Sequence, residues 1–375
     1  MKFTLKTETL KKWLEVVNHA TAWVTTTPIL ENILIKANYN NLVLTSNNLE
    51  IAIEYIITED IKIDTEWSIC IPSKLFTSYI WLLSDDEVKI ELKSDKSIQI
   101  VAESWKIQIK WTSSWDFPLI PSIKEEVSLN TSSKVLKSGI EKTLFSSAEG
   151  NIRPTLAWIL VNIEWESVVF ASTDSFRLSE YKCEIWSSIK DSFSQIIPSK
   201  TVFELKSILK DEDDIKIISW ENQIAFFFWN TKFYSRLLNW KFPDYSTFFP
   251  KSYSSKAEIN RIDLIQALKK INLLSKENNY SIKMSLSAEN WILLETSETQ
   301  IWEAEVKLKW IIEWEDNIIW INSIYFLEVL TVIESSHISI SFENPLSPIL
   351  INPVDSDEKK WDNKSFKHII MPLKI

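Results

Sequence analysis

Few side chains in this chain are spaced for covalent or metal chemistry. The three histidines, His19, His337 and His368, share no ligand spacing, and Cys70 and Cys183 stand far apart with no CxxC. Neither an HExxH helix nor a cysteine-built zinc site can be assembled from them, so no metal and no other cofactor is expected. Asp174 beside Arg177 has the spacing of an ion pair that holds a turn rather than of a catalytic dyad. What does recur is lysine on amphipathic segments: Lys11 and Lys12, Lys74, Lys134, Lys137 and Lys142, Lys200, Lys206 and Lys210, and Lys269 and Lys270. A lysine is a mobile point charge that attracts phosphate without reading a base. Scattered lysines on a helix are also the ordinary solvated face, so their meaning depends on the elements that carry them.

The 375 residues carry a net charge of −10, so nucleic acid can be met only at a segregated basic patch. Hydrophobic residues make up 45% and charged residues 25%, a globular profile. The sequence shows no basic-then-apolar leader and no run of about 18 apolar residues, which predicts no membrane partner. Two widely separated cysteines fit the reducing cytoplasm. One ratio is foreign to globular proteins: 2 glycines against 19 tryptophans, where about 7% glycine is usual. The tryptophans occupy turn positions, as in Trp229-Asn230, Asn239-Trp240-Lys241, Glu164-Trp165-Glu166 and Glu313-Trp314-Glu315. Such turns favour positive φ, which glycine adopts and tryptophan resists. We therefore expect glycine at most of these positions in the natural protein, as in bacterial lineages that read UGA as glycine. A tryptophan-rich sugar-binding surface is the alternative.

With tryptophan read as glycine, residues 111–115 become G-T-S-S-G, a lookalike of the nucleophile elbow centred on Ser113. That motif needs a strand before it and a helix after it, but Asp116-Phe117-Pro118 follows. A serine hydrolase on Ser113 is the enzyme alternative, and no catalytic residue is assigned. No P-loop arises either, because neither Trp105-Lys106 nor Trp240-Lys241 continues to Ser or Thr.

The elements that must position these side chains are repeated. Ile71-Pro72-Ser73-Lys74 recurs as Ile197-Pro198-Ser199-Lys200, 126 residues on, and a degenerate copy stands at Ile321-Asn322-Ser323. Each copy closes an apolar strand and opens an amphipathic helix, with proline expected inside the helix start. Phe117-Pro118 and Phe242-Pro243 repeat 125 residues apart. Helices are predicted over 9–17, after Ile71, over 132–147, from Ile197 to about 209, over 262–275 and after Ile321. Alternating strands lie between them, including 29–37 and 176–184, and 355–364 reads as a charged loop. The period exceeds a solenoid repeat, so the expected organisation is three similar α+β domains, 1–125, 126–253 and 254–375. Each carries two helices packed on antiparallel sheets.

In this order and spacing, several segments resemble the bacterial sliding clamp family, the beta subunit of DNA polymerase III. They are Met1-Lys2-Phe3-Thr4, Pro28-Ile29-Leu30, Asp116-Phe117-Pro118, Arg153-Pro154-Thr155-Leu156, residues 171–179 (ASTDSFRLS), Phe242-Pro243-Asp244-Tyr245 and Met371-Pro372-Leu373-Lys374-Ile375. The resemblance covers essentially the whole chain. Trp158, Trp165, Trp240, Trp302 and Trp320 fall where that family commonly carries glycine. It implies the DNA clamp fold, in a head-to-tail homodimer whose helices face a hole for double-stranded DNA. Lys74, Lys137, Arg153, Lys200, Lys206 and Lys269 are the expected DNA contacts. Ile107 is expected at the dimer interface opposite Leu273 and Leu274, two residues that a plain reading would assign to helix core. A partner-peptide groove is expected from Leu156, Thr173, Phe176, Arg177, Leu178, Pro243, Phe248, Ile369, Met371 and Leu373. Leu156 and Leu178 could equally be plain core. Phe176 stands where the family often has histidine and Thr247 where some members have arginine, which implies a more apolar, less basic groove. Implied partners are the alpha subunit of DNA polymerase III, the clamp loader, and other clamp-binding polymerases and repair proteins. The implied role is a non-catalytic processivity factor in the cytoplasm. The alternative within this fold is a paralogue that binds proteins but not DNA.

Overall fold

The computed structural model describes residues 2–22, 25–93, 96–103, 105–121, 123–124, 127–148, 156–164, 167–184, 193–237, 241–287, 291–296, 305–309, 311–314, 316–354 and 366–374. The first block contains β1 (Lys2–Lys6), α1 (Thr7–Asn18), β2 (Asn32–Asn38), β3 (Asn41–Asn47), β4 (Ile51–Ile57), β5 (Ile61–Thr65) and β6 (Trp67–Pro72). It continues through α2 (Ser73–Leu82), β7 (Glu87–Leu92), β8 (Ser97–Val101), β9 (Lys106–Lys110) and β10 (Thr112–Ser113). The second comprises β11 (Val127–Ser132), α3 (Ser133–Thr143), β12 (Trp158–Glu164), β13 (Ser167–Thr173), β14 (Arg177–Glu184) and β15 (Phe193–Pro198). It ends with α4 (Ser199–Ile208), β16 (Asp214–Trp220), β17 (Gln223–Phe228) and β18 (Thr231–Arg236). The third holds β19 (Ser255–Asn260), α5 (Arg261–Ser275), β20 (Ser281–Ser287), β21 (Trp291–Thr296), β22 (Glu305–Lys309) and β23 (Ile311–Trp314). After these come β24 (Asn317–Asn322), α6 (Ser323–Val332), β25 (His337–Phe342), β26 (Ile349–Val354) and β27 (Phe366–Ile370).

Apolar spacing explains the packing. Leu10, Leu14 and Val17 share one face of α1 and are buried, as are alternate residues Phe3 and Leu5 of β1. Each such side chain contributes about 1.5–3 kcal/mol on burial. The repeat is written in hydrogen bonds as well. The first residue of each block's first helix donates its N–H to the loop before the strand that follows the second helix: Thr7 to Asp86 O at 2.9 Å, Ser133 to Asp213 O at 2.8 Å and Arg261 to Ser336 O at 2.9 Å.

Among the described residues the strands form four antiparallel sheets. The chain divides into two compact units. Met1–Lys134 with Glu204–Asn239 holds a five-stranded sheet, β5-β1-β7-β8-β9, and a nine-stranded sheet, β10-β6-β2-β3-β4-β18-β17-β16-β11. Val135–Phe203 with Trp240–Ile375 holds a second nine-stranded sheet, β15-β12-β13-β14-β27-β26-β25-β19-β23, and a four-stranded one, β22-β21-β20-β24. The compact units cut across the sequence blocks because strands of neighbouring blocks pair: β4 with β18, and β14 with β27. Both pairings have one register, from Ile51 opposite Ser235 to Tyr55 opposite Thr231, and from Arg177 opposite Ile370 to Tyr181 opposite Phe366.

The structure departs from the sequence reading at several boundaries. Pro72 and Pro198 end strands, and the helices begin one residue later at Ser73 and Ser199. Proline disfavours helical backbone in the residue before it, so Ile71 and Ile197 stay extended. The strand expected from 29 begins at Asn32, after a 3-10 turn at Pro28–Glu31. The helix expected to reach 147 stops at Thr143 and tightens into a 3-10 turn, Leu144–Ser146. Strand β10, two residues long, is too short to have shown a period, and β5 has no counterpart in the sequence reading. The expected loop at 355–364 lies outside the described residues. Among the described residues no helix is long and apolar enough to cross a membrane.

Candidate functional site

The β13–β14 turn and the strand ends beside it carry Thr173, Phe176, Arg177 and Leu178, four of the residues expected to line the partner-peptide groove. Thr173 ends β13, where its hydroxyl donates to Arg177 O (2.7 Å) and accepts from Ser175 N (3.1 Å). Ser175 takes φ 79°, and Asp174 Oδ1 accepts from the N–H groups of Phe176 (2.8 Å) and Arg177 (3.0 Å). This Asx-type turn lifts Phe176 out of the sheet, leaving it 48% exposed. Arg177 Nε donates to Asp174 Oδ2 at 3.0 Å, the turn-holding ion pair expected from the sequence. The Arg177 guanidinium also pairs with Glu328 and lies 4.4 Å over the Tyr325 ring. Tyr325 in turn stacks with Phe176 at 6.4 Å between centroids. Tyr325 and Glu328 lie three apart on α6 and were missed in the sequence; their i,i+3 spacing on one helix face was the available signal.

Ile369, Met371 and Leu373 lie on β27 and the segment after it. Met371 N donates to Phe176 O at 2.8 Å, and the residue is 37% exposed. Leu373 is half-buried, and its N–H donates to Trp320 O. Leu178 and Ile369 face each other across β14 and β27 and are buried, so within the expected groove they can serve as floor but not as a contact surface. Leu156, half-buried, precedes β12. Pro243 and Phe248 are exposed on a segment fixed by aromatic edges, with Phe242–Tyr245 at 5.7 Å and Tyr245–Phe249 at 6.2 Å. Burial, then the charge of the hydrogen-bonded Glu180, pushes the Tyr245 hydroxyl far up, so it remains a neutral donor to that carboxylate. Behind the floor, His368 is fully buried with Nδ1 2.8 Å from Ser179 Oγ. Burial, then the positive charge of Arg177, holds this imidazole well below its usual range, so it is neutral.

The helix lysines separate into two sets. Lys74, Lys200 and Lys269 are exposed; Lys74 and Lys200 each stand second in their helices, at equivalent repeat positions. Lys137 and Lys206 are half-buried on α3 and α4. Arg153 lies outside the described residues. Lys11 donates to Leu83 O at 2.8 Å at the C-terminal end of α2, and Lys142 is buried 4.6 Å over the Tyr181 ring. Those two lysines serve packing. Leu273 is 81% exposed and Leu274 half-buried, so Leu273 is not helix core. Ile107 is half-exposed on β9, the last strand of its sheet.

Ser113 has no elbow geometry: its Oγ accepts from Trp115 N at 3.3 Å and a three-residue 3-10 turn follows. Among the described residues no group of three or more His, Cys, Asp or Glu side chains is placed to hold a metal.

Three family models match the chain: DNA polymerase III beta subunit N-terminal domain over residues 1–121, central domain over 130–244 and C-terminal domain over 246–374. The beta sliding clamp of Staphylococcus epidermidis is 30% identical, with 100% of this chain and 99% of the relative covered. That of Staphylococcus aureus is 27% identical with the same coverage. Among solved structures, the Bacillus subtilis DNA polymerase sliding clamp superposes with a TM-score of 0.93 at 26% identity, covering 100% of this chain and 99% of that one. A putative DNA polymerase III beta subunit from Eubacterium rectale gives 0.91 at 28%, covering 100% of both chains.

Proposed function

The chain belongs to the DNA polymerase III beta subunit family, and from that premise we propose how its residues do the family's work. It is a DNA sliding clamp, a ring-shaped homodimer that encircles duplex DNA and tethers the replicative polymerase for processive synthesis. We read the three sequence blocks as three clamp domains, 1–125, 126–253 and 254–375. The observation that carries the ring closure is the pairing of blocks. Each nine-stranded sheet joins five strands of one block to four of another, while a five-stranded sheet ends at β9 and a four-stranded one at β22. By repeat position β22 corresponds to β4 and β14, and β9 to β18 and β27. We infer that β22 of one protomer pairs antiparallel with β9 of its partner, giving a third junction of the same kind. Ile107 on β9 then packs near Leu273 and Leu274. We add Leu82, 84% exposed at the end of α2 in the same block as β9, to this apolar contact. A head-to-tail contact of this sort stays finite because it closes.

Lys74, Lys137, Arg153, Lys200, Lys206 and Lys269 are the proposed contacts to phosphate. Their compact charges suit sliding, because nothing in them fixes a base register. The Phe176–Met371 groove is the proposed site for apolar peptide segments of the polymerase alpha subunit, the clamp loader and other polymerases and repair proteins. Aromatic and thioether walls supply most of the affinity in such grooves. In this reading the protein acts without catalysis, in the cytoplasm. The test is retention: protein loaded onto a nicked circle by its loader is followed after the circle is linearised. Loss through the new ends is expected. Equal retention on both forms would replace topology by direct binding, and failure to load at all would favour a paralogue that binds only proteins.

A further inference from the structure

The junction between the first and second blocks reproduces the groove's backbone almost bond for bond. Asn48 Oδ1 accepts from Glu50 N (3.1 Å) and Ile51 N (2.8 Å), as Asp174 Oδ1 does from Phe176 and Arg177. Leu49 takes φ 73° where Ser175 takes 79°. Leu49 N donates to Asn47 Oδ1, and Arg236 N donates to Glu50 O at 3.0 Å where Met371 N donates to Phe176 O at 2.8 Å. Phe117-Pro118 follows β9 and β10 as Phe242-Pro243 follows β18. The residues of this first junction belong to the first compact unit, where Asn47, Leu49, Glu50, Pro118 and Arg236 are among those lining a pocket of about 300 Å³. Side chains differ where backbones agree. Ile51 and Ala52 replace Arg177 and Leu178, opposite Ser235 and Tyr234 where the groove has Ile370 and Ile369, so the floor is apolar along Ile51 and Ala52, polar along Ser235 and Tyr234, and roomier at Ala52. Leu49 and Leu119, 50% and 91% exposed, supply an apolar rim. Charge has moved to the edge, with Glu50 and the exposed Arg236 standing where Phe176 and Met371 stand in the groove.

We propose that this pocket is a second peptide-docking site, for a short linear segment with an aliphatic or aromatic anchor followed by an acidic residue. The apolar part of the floor takes the anchor. Arg236, exposed at the edge of the pocket, attracts the carboxylate and disfavours a basic residue at that step. The proposal rests on the groove reading only for its precedent that this turn-and-strand backbone receives peptides. Two occupied pockets per protomer would let one partner be held at the groove while another docks at the first junction.

The test uses fluorescence anisotropy of fluorescein-Ser-Leu-Phe-Glu-Ser-amide with the full-length protein. The doubly substituted F176S/M371S protein is expected to keep binding. Adding R236E, or separately L119S, both at exposed positions, should weaken that residual binding at least about tenfold. Replacing the peptide's Glu by Gln should do the same. Absence of binding to F176S/M371S protein with an unchanged melting temperature would overturn the proposal, as would residual binding indifferent to both R236E and L119S. If R236E and L119S abolish binding to the otherwise unaltered protein while F176S/M371S changes nothing, the groove reading fails and this one stands.

Discussion

At single residues, the proposed groove rests on Phe176 and Met371, the exposed pair joined by a backbone hydrogen bond. Replacing either with alanine is expected to weaken an apolar partner peptide by about 1–2 kcal/mol, read as a roughly five- to thirtyfold rise in Kd. His368 makes a different contribution. Its folded-state pKa is depressed by burial, then by Arg177, whereas an unfolded histidine titrates near 6.5. Below that value the unfolded chain binds the proton and the folded one does not, so stability is lost as pH falls from about 6.5, by up to ~1.4 kcal/mol per pH unit. Urea midpoints between pH 6.5 and 5 should therefore fall less steeply for His368→Phe than for the parent chain. Trp229 takes φ 46° in the two-residue turn between β17 and β18, a conformation glycine adopts without strain. Peptide mass spectrometry of the natural protein is expected to find glycine at 229, and tryptophan there would refute the recoding.

At the scale of elements, two of the three helix pairs are pinned where the second helix begins. Ser73 Oγ donates to Asn18 Oδ1 at 2.6 Å, and Ser323 Oγ to Asn272 Oδ1. In the central block position 144 is leucine, and the Ser199 hydroxyl is shielded from solvent with no partner among the described residues. Ser199→Ala is thus expected to raise stability by about 1 kcal/mol, whereas Asn18→Ala should lower it by about 1–3 kcal/mol, both measurable by chemical denaturation. Helices and long strands were legible from periodicity because their burial is periodic: Leu10, Leu14 and Val17 sit where spacing put them. The groove was legible only in part. Asp174 and Arg177 declare their turn locally, but Tyr325 and Glu328 reach Arg177 from some 150 residues away, and no local pattern encodes that approach. The prolines misled because the restraint they impose acts on the residue before them as much as on their own φ.

For the whole molecule, the proposed third junction rests on side chains left exposed in one protomer. Leu273→Ala with Leu274→Ala is expected to yield monomers at dilute concentration with the fold intact, seen by analytical ultracentrifugation and circular dichroism. An unchanged dimer would reject Leu273 and Leu274 as interface residues. Loss of Lys74 and Lys200 together should reduce the slope of log affinity against log salt by about 1–2, since each phosphate contact releases a counterion. The covalent chain runs through the β4–β18 and β14–β27 junctions, and this has a consequence for how such an assembly comes apart. A junction backed by the chain recloses at an effective concentration in the millimolar range. Of the three kinds of junction only the one between protomers lacks that tether, so it is the natural gate for DNA. In a closed pair, moreover, the two gates tether each other: when one parts, the other holds its ends within reach. Losing a protomer requires both to be open at once, a coincidence whose frequency falls as the square of the opening probability, so the ring can admit DNA far more often than it falls apart.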